Sequence, residues 1–220
     1  MSELYFRILH DETTGELTYL LADAQAKEAV LIDPRSRDVA VLSALLAERD
    51  LHLKWILRTH HHDHLHLNNA LELRQLGATV VQGDGLGHKF HYDGESLPFG
   101  RETVHVWVTP GHTSNCLSFA WRDRIFCGGL LAVTDCPQQP YAEKPEQLWE
   151  SVTGRIWKLP NETLLFSGHA HRLRTVSTVM DQRRWHPDFA GVSRDEFLAT
   201  MAQLQGSTRL DTPLESAQRI

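Results

Sequence analysis

Fourteen of the 220 residues are histidine. Five of them fall in one short run, His60-His61-His62-Asp63-His64-Leu65-His66. A buried imidazole needs partners for two ring nitrogens, so rings at this density signal a chemical use. Two further stretches deliver histidine after glycine: Thr109-Pro110-Gly111-His112-Thr113 and Ser167-Gly168-His169-Ala170-His171. Imidazoles converging with a carboxylate are what a zinc- or iron-type ion requires. In a His-x-His pair both rings lie on one side of a short extended segment and reach one ion. Asp63 beside them is the candidate catalytic group: it can ligate a second ion, hold a histidine tautomer or orient water. Gly111 and Gly168 free the backbone to approach an ion closely. The bland alternative is a solvated, histidine-rich loop. His10, His52, His66, His88, His91, His105 and His186 are read as surface rings. Trp55, Trp107, Trp121, Trp149, Trp157 and Trp185 are read as core or hairpin packing.

Each histidine stretch follows an apolar run that reads as a strand. Runs at 4–9, 17–23 and 28–34 form an expected β-meander, closed at Asp33-Pro34. Val39, Leu42, Leu45 and Leu46 recur at helical spacing within 37–49. Residues 53–57 are an expected buried strand running into the histidine cluster. A helix over 67–76, stopped by Gly77, precedes a strand at 78–83. Strand, helix, strand, helix, strand implies parallel pairing, with polar loops at the carboxyl ends of the strands. Beyond a Gly-rich loop at 83–94, a strand is expected within 101–113, ending at Pro110-Gly111. A hairpin turns at Arg122-Asp123, an amphipathic helix spans 145–159, and a strand over 162–171 ends at Gly168-His169. Helices are expected at 175–183 and 194–204, and residues 207–220 as a frayed tail. No Pro- or Ser-rich linker interrupts the chain, so residues 1–220 are expected to form a single domain.

Composition narrows the functions. Apolar residues make up 41% and charged residues 23%, which is ordinary globular usage. The formal net charge of −6 argues against an electrostatic grip on nucleic acid. No apolar run approaches the roughly 20 residues that span a bilayer. The start reads as neither a signal nor a transit peptide. Cys116, Cys127 and Cys136 form no CxxC pair, which suits a reducing compartment and a cytoplasmic setting.

In this order, these motifs resemble the metallo-β-lactamase superfamily: Thr59-His60 opening a histidine cluster with Asp63-His64, then Pro110-Gly111-His112-Thr113, then Gly168-His169. Within it the chain is most similar to the iron-dependent persulfide dioxygenases, related to glyoxalase II. The branch-specific signal is the ending RTVSTVMDQRRWHPDF. The resemblance implies an αβ/βα four-layer sandwich, two mixed sheets flanked by helices. It also implies one divalent ion, iron(II) with zinc(II) as the alternative, oxidising glutathione persulfide with molecular oxygen. Its metal histidines carry over to His60 and His112. The branch's third ligand, an aspartate, is replaced by Gly129. The cluster is also one residue short. His60 and His62 are the preferred pair, with His61 as the fallback. Asp63, His64 and His169 match positions that hold a second metal in the superfamily's hydrolases. The branch's Arg-containing loop is here Thr134-Asp135-Cys136-Pro137-Gln138, where Asp135 is a conceivable replacement carboxylate. An aspartate restored at 129 is expected to complete a facial triad with His60 and His112. The expected partner is a small-molecule thiol or persulfide, without nucleic acid or membrane; a homodimer is compatible. The alternatives are a zinc-dependent, glyoxalase-II-like thioester hydrolase, or a non-catalytic binding module.

Overall fold

Every residue of Leu17–Asp23 is buried, and so are four of the five in Glu28–Ile32. Strands with no wet face must lie inside a stack of layers. The computed structural model describes residues 4–60, 71–83, 93–132, 136, 138–171 and 174–210. Its first sheet runs in the order β1 (Leu4–His10), β2 (Leu17–Asp23), β3 (Glu28–Ile32), β4 (His52–Leu57), β5 (Thr79–Val81). The first three form the antiparallel meander. The pairs β3–β4 and β4–β5 are parallel, with α1 (Val39–Glu48) crossing between β3 and β4.

The second sheet contains β6 (Ser96–Phe99), β7 (Glu102–Val108), β8 (Leu117–Trp121), β9 (Arg124–Gly128), β10 (Leu164–His171) and β11 (Arg174–Thr178). Its order is β11-β10-β9-β8-β7-β6. Only the β9–β10 pairing is parallel among these strands. Alternation sorts the side chains between layers. Tyr19 and Leu21 join Phe119, Phe126 and Phe166 between the sheets. Leu20 and Ala22 turn the other way, onto Leu42 and Leu46 of α1. Ile125, Cys127 and Leu165 pack under Leu148 of α2 (Pro145–Glu150), Val179 of α3 (Val179–Trp185) and Phe197 of α4 (Arg194–Leu210). The result is helix, sheet, sheet, helix: the expected four layers.

Several boundaries differ from expectation. The helix expected over 145–159 changes winding: after Glu150 comes a π turn, Ser151–Arg155, then a 3-10 turn, Ile156–Lys158. The Thr153 hydroxyl donates to Trp149 O at 2.7 Å and so competes for a helical acceptor, while the Ser151 hydroxyl ties the turn to Pro110 O, also at 2.7 Å. The helix expected at 175–183 begins as strand β11, because β-branched Thr175, Val176 and Thr178 suit a ladder. Thr178 then caps α3, accepting from the Asp181 amide. Strand β7 ends at Val108, and β6 was not foreseen because it contains Pro98, which an edge strand tolerates. Residues 71–76 form a 3-10 helix, whereas 67–70 lie outside the described residues. Helix α4 extends to Leu210, into the expected tail. Among the described residues, no helix is long and apolar enough to cross a membrane.

One carboxylate ties the sheets together. Asp23, at the end of β2, accepts from the amides of Gln25 and Ala26 in its own turn. It also accepts from the amide and Nε of Arg101, in the turn between β6 and β7, at 3.0 and 3.1 Å. The Arg101 hydrogen bond, helped by these amides, holds the Asp23 carboxyl well below the usual carboxylate range. A depressed carboxyl contributes stability that is complete above the unfolded value of about 4 and is lost as pH falls. Thermal melts from pH 7 to pH 3 should therefore show a smaller loss of Tm for Asp23→Asn than for the parent. Equal losses would show that Asp23 is not a principal acid-sensitive tie.

Candidate metal centre

The histidine stretches leave their strands at one rim because the parallel strands end side by side. Ile32 pairs with Leu57, and Ser167 with Gly128. Thr59 carries the first stretch across the sandwich, its carbonyl accepting from the Leu117 amide at 2.7 Å. A register shift in β10 at Phe166/Ser167 aims His169 inward, and Tyr19 fixes it by donating to Ser167 O at 2.5 Å. His169 is 4% exposed.

His60 is oriented through Thr59 by Asp33. The chain leaves β3 with Asp33 at a φ of +49°, a left-handed conformation that aspartate accepts more readily than most residues. Its carboxylate receives the Thr59 amide at 2.8 Å and the Thr59 hydroxyl at 2.6 Å. Burial raises the Asp33 carboxyl above its ordinary value, against the pull of Arg58 and of these two hydrogen bonds. A hydroxyl has one proton. Thr59 gives it to Asp33, so it accepts from His60 Nδ1–H at 2.9 Å. The Nε2 of His60 then keeps its lone pair, the form in which imidazole serves as a metal donor.

His112 is held differently. It is fully buried, and its Nε2 lies 3.2 Å from the carbonyl of Gln139, which only accepts. That nitrogen carries the proton. The Gln139 amide in turn donates to His112 O at 2.6 Å. The ring therefore packs over Gly129, where a Cβ would lie 2.1 Å from Nδ1 and 2.5 Å from Cε1. The room expected for an aspartate at 129 is filled by the His112 imidazole. Neighbouring Gly128, at a φ of +53°, is equally constrained: a Cβ there would lie 2.3 Å from Thr59 Oγ1.

Among the described residues, His60, Cys136 and His169 offer ligand atoms that all lie within 4.8 Å of one another. The His60 ring centroid is 4.9 Å from that of His112 and 6.2 Å from that of His169. One ion can reach two imidazoles and a thiol here, the donor types zinc and iron accept. Cys136 was not foreseen as part of the site. The available signal was the donor lost at Gly129 and a cysteine seven residues later in the loop that follows. The structure thus brings His60, His112 and His169 together. His61, His62, Asp63, His64 and His66 lie outside the described residues, as do His88, His91 and Asp135.

Two expectations need correction. His186 is 7% exposed, not a surface ring. Its Nδ1 accepts from the Asp188 amide, so Nε2 carries the proton and donates to Leu131 O, both at 3.1 Å. This ties the segment after α3 to the turn that follows Gly129. Trp185 next to it is 74% exposed rather than packed, because α3 ends there with its last side chain over solvent. His10, His52 and His105 are exposed as expected.

A four-layer αβ/βα sandwich with histidines delivered to one rim by separate strands and the loops that follow them is the metallo-β-lactamase fold, and solved metallo-β-lactamases share it. No family model matches the chain. Persulfide dioxygenase ETHE1, mitochondrial, of Bos taurus is 32% identical over 194 residues, covering 85% of this chain and 76% of that protein. The crystal structure of ETHE1 from Myxococcus xanthus superposes with a TM-score of 0.79 at 32% identity, covering 96% of this chain and 92% of that one. The chain belongs to the persulfide dioxygenase branch of the metallo-β-lactamase superfamily. A hydroxyacylglutathione hydrolase-like protein of Mus musculus is 34% identical over 173 residues, 72% of this chain but 59% of that protein.

The His186 contacts set a stability expectation. His186→Ala removes one hydrogen bond to Leu131 O, one to the Asp188 amide, and an edge contact with Phe189. Urea unfolding should show a loss of about 1–3 kcal/mol. Exposed His105→Ala should change stability by less than about 0.5 kcal/mol. Equal effects would make His186 the surface ring the sequence suggests.

Proposed function

We propose that this chain is a metal-dependent enzyme of sulfur chemistry, oxidising a low-molecular-weight persulfide of the glutathione persulfide type with molecular oxygen at one iron(II). The observation that carries the reading is the convergence of ligand atoms from His60, His169 and Cys136 within 4.8 Å, in a chain of the persulfide dioxygenase branch. Two imidazoles and a thiol fit a divalent ion in number and in chemistry. We assign His60 and His169 to the metal, and retain His112, His62 and His64 as further candidate ligands. Asp63 is the candidate for holding a tautomer or orienting water. Iron(II), when bound, would bring oxygen and the persulfide sulfur together within one coordination sphere. The protein's own part is positional. Thr59 holds the Nδ1 proton of His60 and leaves Nε2 as the donor. Asp33 fixes Thr59 in that role. Such outer partners raise a ligand's basicity and orient its ring. We place the reaction in the cytoplasm, on the cysteine usage of the sequence.

A zinc-dependent thioester hydrolase is the second reading. It is favoured by the 34% identity to a hydroxyacylglutathione hydrolase-like protein and by a thiol donor, which zinc accepts. An oxygen electrode separates the two. Protein purified without a histidine tag and loaded with iron(II) should consume oxygen only when glutathione persulfide is present, with about one ion per chain, the content a mononuclear site implies. A chelator should stop the uptake and added iron(II) restore it. Hydrolysis of a hydroxyacylglutathione without oxygen uptake, with two equivalents of zinc, would overturn the proposal. Neither activity and no metal would leave a binding module.

A further inference from the structure

We propose that Cys136 is a metal ligand in this chain, its thiolate completing the site with His60 and His169 in place of the carboxylate that residue 129 does not supply. The inference rests on the metal-centre reading above and names the anionic donor that reading lacks. Three observations carry it.

The first is placement. Cys136 is fully buried, and its sulfur belongs to the trio of donors lying within 4.8 Å of one another. The other two cysteines are also buried, but among the described residues their sulfurs lie outside that trio. Cys116 Sγ lies 3.3 Å from the Thr113 amide and 3.1 Å from its hydroxyl, and Cys127 donates to Phe166 O at 3.4 Å.

The second is the way the segment is held. Gln139 is locked to His112 in both directions, through Gln139 Nε2 to His112 O and His112 Nε2 to Gln139 O. Its amide also donates to Tyr141 O at 3.3 Å. The same contacts that bind His112 thereby anchor the backbone three residues beyond Cys136. Nearer still, the Cys136 thiol is 3.4 Å from Gln138 Oε1, a weak contact that a metal would replace.

The third is charge. Two imidazoles and a carboxylate give a divalent ion one negative charge and leave positions open for substrate. Two imidazoles and a thiolate give the same charge and the same openness. The exchange is from a hard to a soft donor, and iron(II) and zinc(II) both accept sulfur. Gly129 cannot regain a carboxylate while His112 lies over it, so the anionic donor must come from another part of the chain.

The test uses cobalt(II) as a spectroscopic probe, on full-length protein without a histidine tag. A thiolate bound to cobalt gives an intense near-ultraviolet charge-transfer band that imidazole and carboxylate ligands do not. The parent should show this band on saturation with one equivalent. Cys136→Ser should lose the band and bind cobalt more weakly, by more than the roughly 10–100-fold that loss of an outer-shell partner costs. Cys127→Ala should keep both. Circular dichroism of metal-free Cys136→Ser should show the parent's fold, and Cys136→Ala serves as the second variant should serine fail to fold. A parent that binds cobalt without the band, or a Cys136 variant that keeps it, overturns the ligand assignment and leaves the metal centre standing. A parent that binds no cobalt overturns both.

Discussion

The site is organised around a steric exclusion: the imidazole of His112 and a side chain at residue 129 cannot occupy the same space. A Cβ on Gly129 would sit 2.1 Å from His112 Nδ1, far inside contact distance. Given a glycine there, the ring settles onto the end of β9 and donates its Nε2–H to the Gln139 carbonyl. Interiors are close-packed, so a volume vacated in one place is filled from another. Here the space over Gly129 is filled by the imidazole of His112, a residue that the resemblance marks as a ligand. The remaining described donors are His60, His169 and Cys136.

The rest of the scaffold keeps that geometry at the rim. The carboxyl ends of β3 and β4 lie together, and those of β9 and β10 lie together. Asp33, Thr59, Gly128 and Ser167 therefore meet although they come from different parts of the chain. Asp33 orients Thr59, and Thr59 orients His60. From the outside, His186 ties α3 to the turn after Gly129. Tyr19 of the first sheet fixes β10 of the second through Ser167 O. Each tie is a directed hydrogen bond in a buried setting, where leaving one partner unsatisfied costs more than the bond itself contributes.

Much of this is legible in the residues. Largely apolar runs such as LTYLLAD mark strands with no wet face, and their meeting with Thr59, Thr109 and Ser167 marks the rim. Periodicity places α1 within the expected 37–49. What sequence does not expose are properties decided by distant partners. Cys136 becomes part of the site only because His60 and His169 fold against it. His186 sits in the polar stretch Arg183-Arg184-Trp185-His186-Pro187-Asp188 and reads as exposed, yet Leu131 O buries it, while apolar Trp185 is left in solvent. Thr175–Thr178 satisfies both a helical and a strand pattern, and pairing with β10 decides between them. The crowding over Gly129 is likewise invisible in a string of letters, where a glycine in place of an aspartate looks like empty room.

The measurement that bears most directly on this account is the iron(II) affinity of Gly129→Asp, made on protein shown to be folded. If His112 owns the space, the new side chain must displace a buried ring. Overpacking of that kind costs about 1–3 kcal/mol, and a carboxylate introduced among buried groups adds a desolvation cost. The variant should bind iron(II) more weakly than the parent and unfold at lower temperature. Tighter iron(II) binding with stability unchanged would mean that the ring yields and the carboxylate enters the site, and would contradict it.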